Sequence, residues 1–309
     1  MKLIVIIPAY NEEDNIENTI KNIPTKITGI DKIELLVIND GSLDNTAELA
    51  FKAGATVVSH KNNTGVGSAF MTGVRNTISK GADIVVTLDA DSQFNPEQIH
   101  ELVVPILNKQ LDVVIGSRFL REKPVGIPKI KFFGNKIFSS LVSWAINQKF
   151  SDTQTGFRAY SKEALFNISV VNEFTYTQEV LIDLKFKKLR IGEIPVLVLY
   201  NNKRKSRVVK NVFSYSYKAL SIIIKSLVFH RPILAFGLFG LVLVGGGVLA
   251  KLLTITKIFG VSPGLSTGLI ILGIVSFMLG LFANVVFKRQ SFAERDLRHY
   301  VEKLSHGES

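Results

Sequence analysis

Two carboxylates, Asp89 and Asp91, are the residues in this sequence best spaced for chemistry. They lie one residue apart and directly follow an apolar run, and Gln93 comes two residues later. In an extended chain all three side chains point to the same side, so they can share one divalent cation. Their hard oxygen ligands select Mg²⁺ or Mn²⁺. Such an ion would bridge to a diphosphate and neutralise the charge that forms as it leaves. An isolated pair of this kind is more typical of a polar turn, but its position directly after an apolar strand favours the metal site.

Three further polar segments lie where strands are expected to end or helices to begin. They are residues 8–12, 39–42 and 154–158, the last preceded by Asp152. Within residues 39–42, Asp40 could accept hydrogen bonds from a nucleotide base, and the segment also fits a generic β-turn. Asn11 and Glu12 fit a helix cap as well as a nucleotide contact. The glycines around Val66 form neither a complete G-x-G-x-x-G motif nor a P-loop, so they predict no phosphate cradle.

The elements that must position these segments alternate between apolar β-branched runs and amphipathic stretches. The pattern predicts strands at 2–7, 33–38, 55–59, 83–88 and 113–116. It predicts helices after an N-cap at Asn11 and at 44–52, 65–79 and 96–108. This alternation indicates an α/β fold with a mostly parallel sheet. In such sheets the ligand crevice lies at the carboxyl ends of the strands, where the polar segments fall.

The last third of the chain has a different pattern. Residues 233–253 and 265–287 are each apolar over roughly the 20 residues that cross a bilayer. Basic residues outside this pair outnumber those between its members, so the positive-inside rule places both termini in the cytoplasm. Residues 208–229 and 130–146 mix aromatic and aliphatic side chains with lysines, which is typical of interfacial helices or of amphipathic core helices. The first apolar run is too short for a signal peptide.

The composition narrows the choice of partners and ligands. The chain has 309 residues, no cysteine, a formal net charge of +11 and a mean hydropathy of +0.26. Without cysteine there is no disulfide and no thiolate metal site. The basic charge suits an anionic partner such as an anionic membrane face or a phosphorylated substrate. Nucleic acid is not expected, because it leaves the two apolar segments unexplained and no recognised nucleic-acid motif is present.

Taken together, the ordered segments resemble the family-2 inverting glycosyltransferases of GT-A fold, and within them the polyisoprenyl-phosphate glycosyltransferases. The resemblance rests on residues 8–12, 39–42 and 89–91, on Gly116-Ser117-Arg118, on residues 155–158 and on the C-terminal hairpin. It covers essentially the whole chain. The Q-x-x-R-W signature of processive polysaccharide synthases is absent, and Trp144 is the only tryptophan.

The resemblance implies a role for each matching residue. Asp91, Asp152, Arg118 and Arg158 would be catalytic, with Asp152 near the transferred sugar and the two arginines facing the reacting phosphates. Nucleotide binding would fall to Pro8, Tyr10, Glu12, Asp40 and Asp89. Metal binding would fall to Asp89, Asp91 and Gln93. The acceptor phosphate would be bound by Arg118, Arg158, Arg204, Lys205 and Arg207. Glu179 lies where relatives place a catalytic acid, in a helix expected to begin near Thr175.

The sequence departs from the family pattern at two places. Asn39 stands where many relatives have aspartate, and the basic loop 203–207 differs from the usual one. Of the basic residues after Arg118, the sequence does not indicate which reaches the acceptor.

The implied activity is metal-dependent transfer of a sugar from a nucleotide-diphosphate donor, either GDP-mannose or a UDP-hexose, to dolichyl or undecaprenyl phosphate. The implied layout is a cytoplasmic catalytic domain at 1–207, a juxtamembrane amphipathic helix at 208–230, a transmembrane hairpin at 231–288 and a cytoplasmic tail at 289–309. The expected partners are the donor, the acceptor and membrane lipids, and self-association into a homo-oligomer is compatible with this layout. Two alternatives stay open: transfer to another lipid or to a protein, and a nucleotide-sugar sensor without activity.

Overall fold

The computed structural model describes residues 1–121, 124, 126–168, 176–198, 212–256 and 262–305, with the backbone alone described at 212–219, 222 and 288–305. The chain forms two compact units, Met1–Ile223 and Ile224–Ser309.

The first unit is built on one seven-stranded sheet. Its strands are β1 (Lys2–Ala9), β2 (Lys32–Asn39), β3 (Thr56–Ser59), β4 (Ile84–Thr87), β5 (Val113–Ser117), β6 (Arg158–Ser161) and β7 (Ile191–Pro195). They lie in the order β3-β2-β1-β4-β6-β5-β7. All neighbours are parallel except β6, which runs antiparallel to both β4 and β5. The mostly parallel sheet predicted from the sequence is confirmed. The strands β6 and β7 were not predicted.

The helices of this unit are α1 (Ile16–Lys21), α2 (Thr46–Lys52), α3 (Val66–Ser79), α4 (Ile99–Leu107), α5 (Lys129–Ile146), α6 (Lys162–Asn167) and α7 (Thr177–Phe186). A 3₁₀ turn, Pro96–Gln98, leads into α4 and is capped by Asn95. The predicted cap at Asn11 is wrong, because Asn11 has φ +54° and α1 begins five residues later. Its side-chain Oδ1 instead accepts a hydrogen bond from the Leu43 amide, at 2.8 Å.

The core explains why the central strands are apolar throughout. Residues 3–7 of β1 and 84–86 of β4 are 0% exposed, so side chains on both faces of the sheet are covered. A strand buried on both faces needs a continuous apolar run rather than an alternating one. These rigid central strands end at the polar segments 8–12 and 89–93, which the sheet therefore holds side by side.

The C-terminal unit contains α9 (Pro232–Thr256) and α10 (Pro263–Ser305), preceded by α8 (Val212–His230), which crosses the boundary between the units. A Cβ added at Gly240 would lie 2.6 Å from the Gly273 carbonyl oxygen, so these glycines let the two backbones approach closely. Ser276 Oγ donates a hydrogen bond to the Phe236 carbonyl at 2.9 Å. Pro232–Thr256 and Pro263–Phe287 are long and apolar enough to cross a membrane, with mean hydropathies of 2.4 and 2.5. Only 11% and 17% of these windows are buried, unlike the helices of a soluble core.

Candidate active site

The polar segments meet along one edge of the sheet, where β1, β2, β4 and β5 end. Because β6 is antiparallel, it begins at this same edge, with Arg158 paired to Thr87. The charges of Asp91, Glu12, Arg118 and Arg158 all act on the Asp89 carboxyl. These five residues, singled out from separate parts of the sequence, therefore cluster in space.

The end of β1 forms the first wall of this crevice. Pro8, Tyr10 and Glu12 are each half-buried there. The Glu12 amide donates to Thr46 Oγ1 at 2.7 Å, and the Asn11 amide donates to Ser42 Oγ at 2.9 Å. The segment after β1 is thus fastened to the start of α2 and to the turn after β2.

Asp40 is 3% exposed, and protein donors surround its carboxylate. Its Oδ1 accepts hydrogen bonds from the Thr64 amide and hydroxyl, both at 2.9 Å, and lies 2.8 Å from His60 Nδ1. Its Oδ2 accepts one from the Gly65 amide at 2.8 Å. Asp40 was expected to contact a nucleotide base, but in this structure its carboxylate is already hydrogen-bonded to the loop 60–65. In this structure Asp40 shapes that loop, which lies beside the end of β2.

The acidic pair sits at the end of β4. Burial, and secondly the Asp91 carboxylate, raise the pKa of Asp89 to about 7, while Arg118 opposes the shift. Asp91 Oδ1 accepts a hydrogen bond from the Gln93 amide at 3.2 Å. Between them Ser92 has φ +56°, an uncommon conformation for a residue with a side chain. Thr19 of α1 holds it in place, with its Oγ1 2.8 Å from Ser92 Oγ.

Gly156 forms the floor beneath Asp89. A Cβ at this position would lie 2.7 Å from Asp89 Oδ1 and 3.1 Å from Oδ2. Real Cβ atoms essentially never come this close to another heavy atom. The carboxylate can therefore occupy its place only because residue 156 lacks a side chain.

Arg118, just after β5, is held by Asp152. Its Nε donates to Asp152 Oδ2 at 2.6 Å and its Nη2 donates to Oδ1 at 2.9 Å, a bidentate pair. Asp152 is 0% exposed. Burial alone would raise its pKa, but the Arg118 guanidinium lowers it below the ordinary value. In this structure the Asp152 carboxylate is fully buried and bound to Arg118, so its position near a transferred sugar stays a prediction.

Arg158 was expected to face the reacting phosphates, and the structure buries it completely. Its guanidinium donates to three backbone carbonyls, those of Thr155, Thr177 and Thr153, at 3.0, 2.7 and 2.9 Å. At 0% exposure it does not reach the surface of the crevice. Its positive charge partly opposes the rise in the Asp89 pKa, because a buried charge is screened less than a solvated one.

The remaining predicted residues are Glu179 and the basic residues of the loop 203–207. Glu179 lies in the first turn of α7 and is half-buried. Arg204, Lys205 and Arg207 lie outside the described residues. Sequence reasoning missed His60, Thr19 and Glu193, each of which fastens a crevice loop through hydrogen bonds. Burial raises the pKa of Glu193, although hydrogen bonds from Ser151 and Asp152 oppose the shift. Isolated residues of these types carry no motif that could have identified them.

In the part of the chain that the structure describes, no cluster of three or more His, Asp or Glu side chains could hold a metal. The carboxylate of Asp91 acts electrostatically on that of Asp89, and the side-chain amide of Gln93 follows two residues later. A cation there would relieve the repulsion that raises the pKa of Asp89. This donor set fits a divalent ion completed by oxygens of a bound ligand.

Comparisons with known proteins agree with this arrangement. A family model described as glycosyl transferase family 2 matches residues 4–168. The chain is 34% identical over 221 residues to UDP-N-acetylglucosamine–dolichyl-phosphate N-acetylglucosaminyltransferase of Methanococcus voltae, covering 64% of this chain and 86% of that protein. It is 30% identical over 224 residues to dolichol-phosphate mannosyltransferase of Pyrococcus furiosus, covering 70% and 62%.

Among solved structures, glucosyl-3-phosphoglycerate synthase from Mycobacterium tuberculosis in complex with UDP has the same fold. Its TM-score is 0.58 at 24% identity, covering 73% of this chain and 79% of that one. The matched segment of the family model contains the acidic pair, Arg118 and Gly156. The chain therefore belongs to glycosyl transferase family 2 and is a glycosyltransferase of GT-A fold.

Proposed function

We propose that this glycosyltransferase moves a sugar from a nucleotide-diphosphate donor onto a polyisoprenyl phosphate, with inversion at the anomeric carbon. The donor is GDP-mannose or a UDP-hexose, and the acceptor is dolichyl or undecaprenyl phosphate. The observation that carries the proposal is the pairing of opposite charges in one crevice. The Asp89–Asp91 pair suits a metal-bound diphosphate, and the Arg118 guanidinium suits a second phosphate group. Relatives named for transfer to dolichyl and undecaprenyl phosphates support the choice of acceptor.

The metal in this proposal is Mg²⁺ or Mn²⁺, held by Asp89, Asp91 and Gln93. A related fold, the synthase from Mycobacterium tuberculosis, has been solved with Mn²⁺ and UDP. A bound ion would supply charge neutralisation for the departing diphosphate. The residues of this chain position that ion: Gly156 leaves room for Asp89, and Thr19 holds the loop between the two carboxylates.

The nucleotide would lie along the ends of β1 and β2. Pro8, Tyr10 and Glu12 would line the pocket for base and ribose, and the loop shaped by Asp40 would close it. The carboxylate of Asp40 would then act through that loop.

The chemistry asks little of the protein beyond alignment. A phosphate monoester is already anionic near neutral pH, because its second pKa is about 6. It can attack the anomeric carbon without a general base, unlike a sugar hydroxyl. Arg118, which Asp152 orients, would hold the attacking phosphate, so charge balance and positioning supply the rate enhancement. We assign Arg204, Lys205 and Arg207 to the same phosphate or to anionic lipid.

The acceptor's tail requires the enzyme to work at a membrane surface. We propose that residues 1–207 form a cytoplasmic catalytic domain, that 231–288 form a hairpin of two spans, and that both termini are cytoplasmic. The helix α5 supports membrane contact because large apolar side chains on its outer face are 53–64% exposed. These side chains are Ile130, Phe133, Ile137 and Trp144. Their helical spacing and the lysines beside them are typical of an interfacial helix, as is the sequence of 208–230.

The test is transfer from a panel of radiolabelled GDP- and UDP-sugars to dolichyl and undecaprenyl phosphate in Mg²⁺, Mn²⁺ or EDTA. The comparison is between Asp91→Ala and Asp31→Ala, which removes an exposed carboxylate before β2, at the opposite edge of the sheet. We expect one donor to label the lipid in a metal-dependent way, with a β-linked product, and only Asp91→Ala to abolish labelling. Nucleotide-sugar binding without labelling of any lipid phosphate would refute the proposal and favour another acceptor or a sensor.

A further inference from the structure

The loop 150–154, between α5 and β6, has no helix or strand hydrogen bonds of its own, yet side chains accept a hydrogen bond from every one of its amides. Ser143 Oγ accepts from residue 150 at 3.0 Å, and Ser139 Oγ accepts from residue 153 at 3.0 Å. The carboxylate of Glu193 accepts from residues 151 and 152, both at 2.9 Å. Asp152 Oδ1 accepts from residue 154 at 3.2 Å. Complete capping by side chains is unusual for a loop, whose amides ordinarily face water.

The capping groups approach the loop from two sides. Ser139 and Ser143 lie one turn apart on α5, and Glu193 lies on β7. Ser139 is 2% exposed, and Glu193 also accepts a hydrogen bond from Ser151 Oγ at 3.0 Å. The loop is therefore clamped between a helix and a strand that belong to the rigid frame of the domain.

The product of this clamp is the position of Asp152. Its carboxylate accepts hydrogen bonds from Nε and Nη2 of Arg118, and Asn135 of α5 donates to the same carboxylate at 3.2 Å. The Arg118 amide also donates to Asp152, at 3.2 Å. A displacement of the loop would therefore be passed directly to the Arg118 guanidinium.

We propose that Ser139, Ser143 and Glu193 are positioning residues for the transfer reaction, acting through Asp152 on Arg118. The inference rests on the proposed function only for the role of Arg118 at the acceptor phosphate. Loss of a capping hydroxyl leaves a buried amide without an acceptor, which favours a shifted loop. A small shift of a substrate-orienting group is enough to slow a reaction severely, because the reacting atoms must meet within a narrow geometry.

The experiment compares Ser139→Ala with Ser79→Ala in the full-length protein in detergent. Ser79 also lies on a helix, with its Oγ donating to the Arg75 carbonyl at 3.0 Å, but it is exposed. The first measurement is backbone hydrogen exchange of the segment 150–154. We expect faster exchange in Ser139→Ala and no change in Ser79→Ala. This result does not depend on the substrate, so it stands or falls separately from the proposed function.

The second measurement is a double-mutant cycle with Arg118→Lys. We expect Ser139→Ala alone to lower kcat/KM for the lipid phosphate by about tenfold, with an unchanged KM for the donor. In the Arg118→Lys background, Ser139→Ala should lower kcat/KM by less than a further twofold, because both substitutions disturb the same guanidinium. If Ser139→Ala does not fold, Ser143→Ala is measured in its place, with the same expectations. Unchanged exchange in 150–154, or full additivity with Arg118→Lys, would overturn the inference.

Discussion

Replacing Gly156 by alanine tests the geometry of the crevice most directly. The added Cβ would lie 2.7 Å from Asp89 Oδ1, whereas ordinary van der Waals contact begins at 3.4 Å. The carboxylate must therefore move by about 0.7 Å or the backbone must shift by a similar amount. The φ of Gly156 is not in the left-handed region, so the effect is steric and not conformational.

A misplacement of this size at the carboxylate that we propose binds the metal is expected to reduce kcat by about 10- to 100-fold. The affinity for Mn²⁺ should fall too, because the Asp89 carboxylate would be displaced relative to that of Asp91. Stability should fall by about 1–3 kcal/mol, the usual effect of a methyl forced into a filled space. The assays are steady-state sugar transfer, Mn²⁺ titration and thermal unfolding of the same preparations.

The matched control is Gly73→Ala. There the added Cβ would lie 2.7 Å from Ile6 Cγ2, an equal overlap, but with an apolar side chain of the core and not with a carboxylate of the crevice. This variant should lose stability while keeping its Mn²⁺ affinity and kcat. Retention of Mn²⁺ affinity and kcat within twofold in Gly156→Ala would refute the reasoning.

Four other variants test separate parts of the structure. Asp89→Asn should abolish transfer. In EDTA it should raise the thermal stability at pH 8 and not at pH 4. The Asp89 pKa is raised to about 7, so ionisation of this carboxyl destabilises the native state as the pH rises towards and past that value. Equal stability effects at both pH values would contradict that assignment. Glu34→Gln should lower the free energy of unfolding by about 0.2–1 kcal/mol at pH 7 and not at pH 2. Lys32 foremost lowers the Glu34 pKa to about 2, so this stabilisation is lost as pH falls from about 4.5 to 2, and a pH-independent effect in denaturant titrations would disprove it. Asp40→Asn should raise the donor KM severalfold with a smaller effect on kcat, because an amide cannot accept all the hydrogen bonds of the loop 60–65; an unchanged donor KM would restrict Asp40 to folding. Arg158→Lys should lower the free energy of unfolding, measured in denaturant, by about 2 kcal/mol or more, since one ammonium cannot replace three buried hydrogen bonds. A variant that stays stable but has a low kcat would instead support a role for Arg158 at the reacting phosphates.

The general form of the fold could be predicted because the central strands and long helices have strong patterns. Buried on both faces, β1 and β4 are continuous apolar runs, and α3 begins within one residue of its predicted start. By contrast β6 is four residues long and antiparallel, and its sequence contains the polar Arg158. Neither periodicity nor β-branched content distinguishes such a strand from a loop. The identity of its neighbours depends on contacts distant in sequence.

The candidate site could be predicted as a set of segments and not as a set of contacts. Asp89 and Asp91 were identified by type and spacing and Arg118 by the family resemblance, and the structure brings their charges together. Asp152 and Arg158 carry the same charges in sequence, yet both are 0% exposed and bound to protein groups. A sequence reports that a residue is charged, but only packing decides whether the charge meets a substrate or another part of the chain. Thr19, His60 and Glu193 could not be identified from the sequence, because their hydrogen bonds also depend on packing between distant segments.

The loop 150–154 carries little of the information that determines its own shape. Its conformation is encoded in hydroxyls of α5 and a carboxylate of β7, which lie up to about 40 residues away in the chain. A graft of these five residues into a relative that lacks the distant partners would therefore transfer the letters without the conformation. Conversely, a relative could change most letters of the loop, apart from Asp152, and keep its course. For this loop, relatives that keep the conformation are expected to keep the contacting residues on α5 and β7, whether or not they keep the loop sequence.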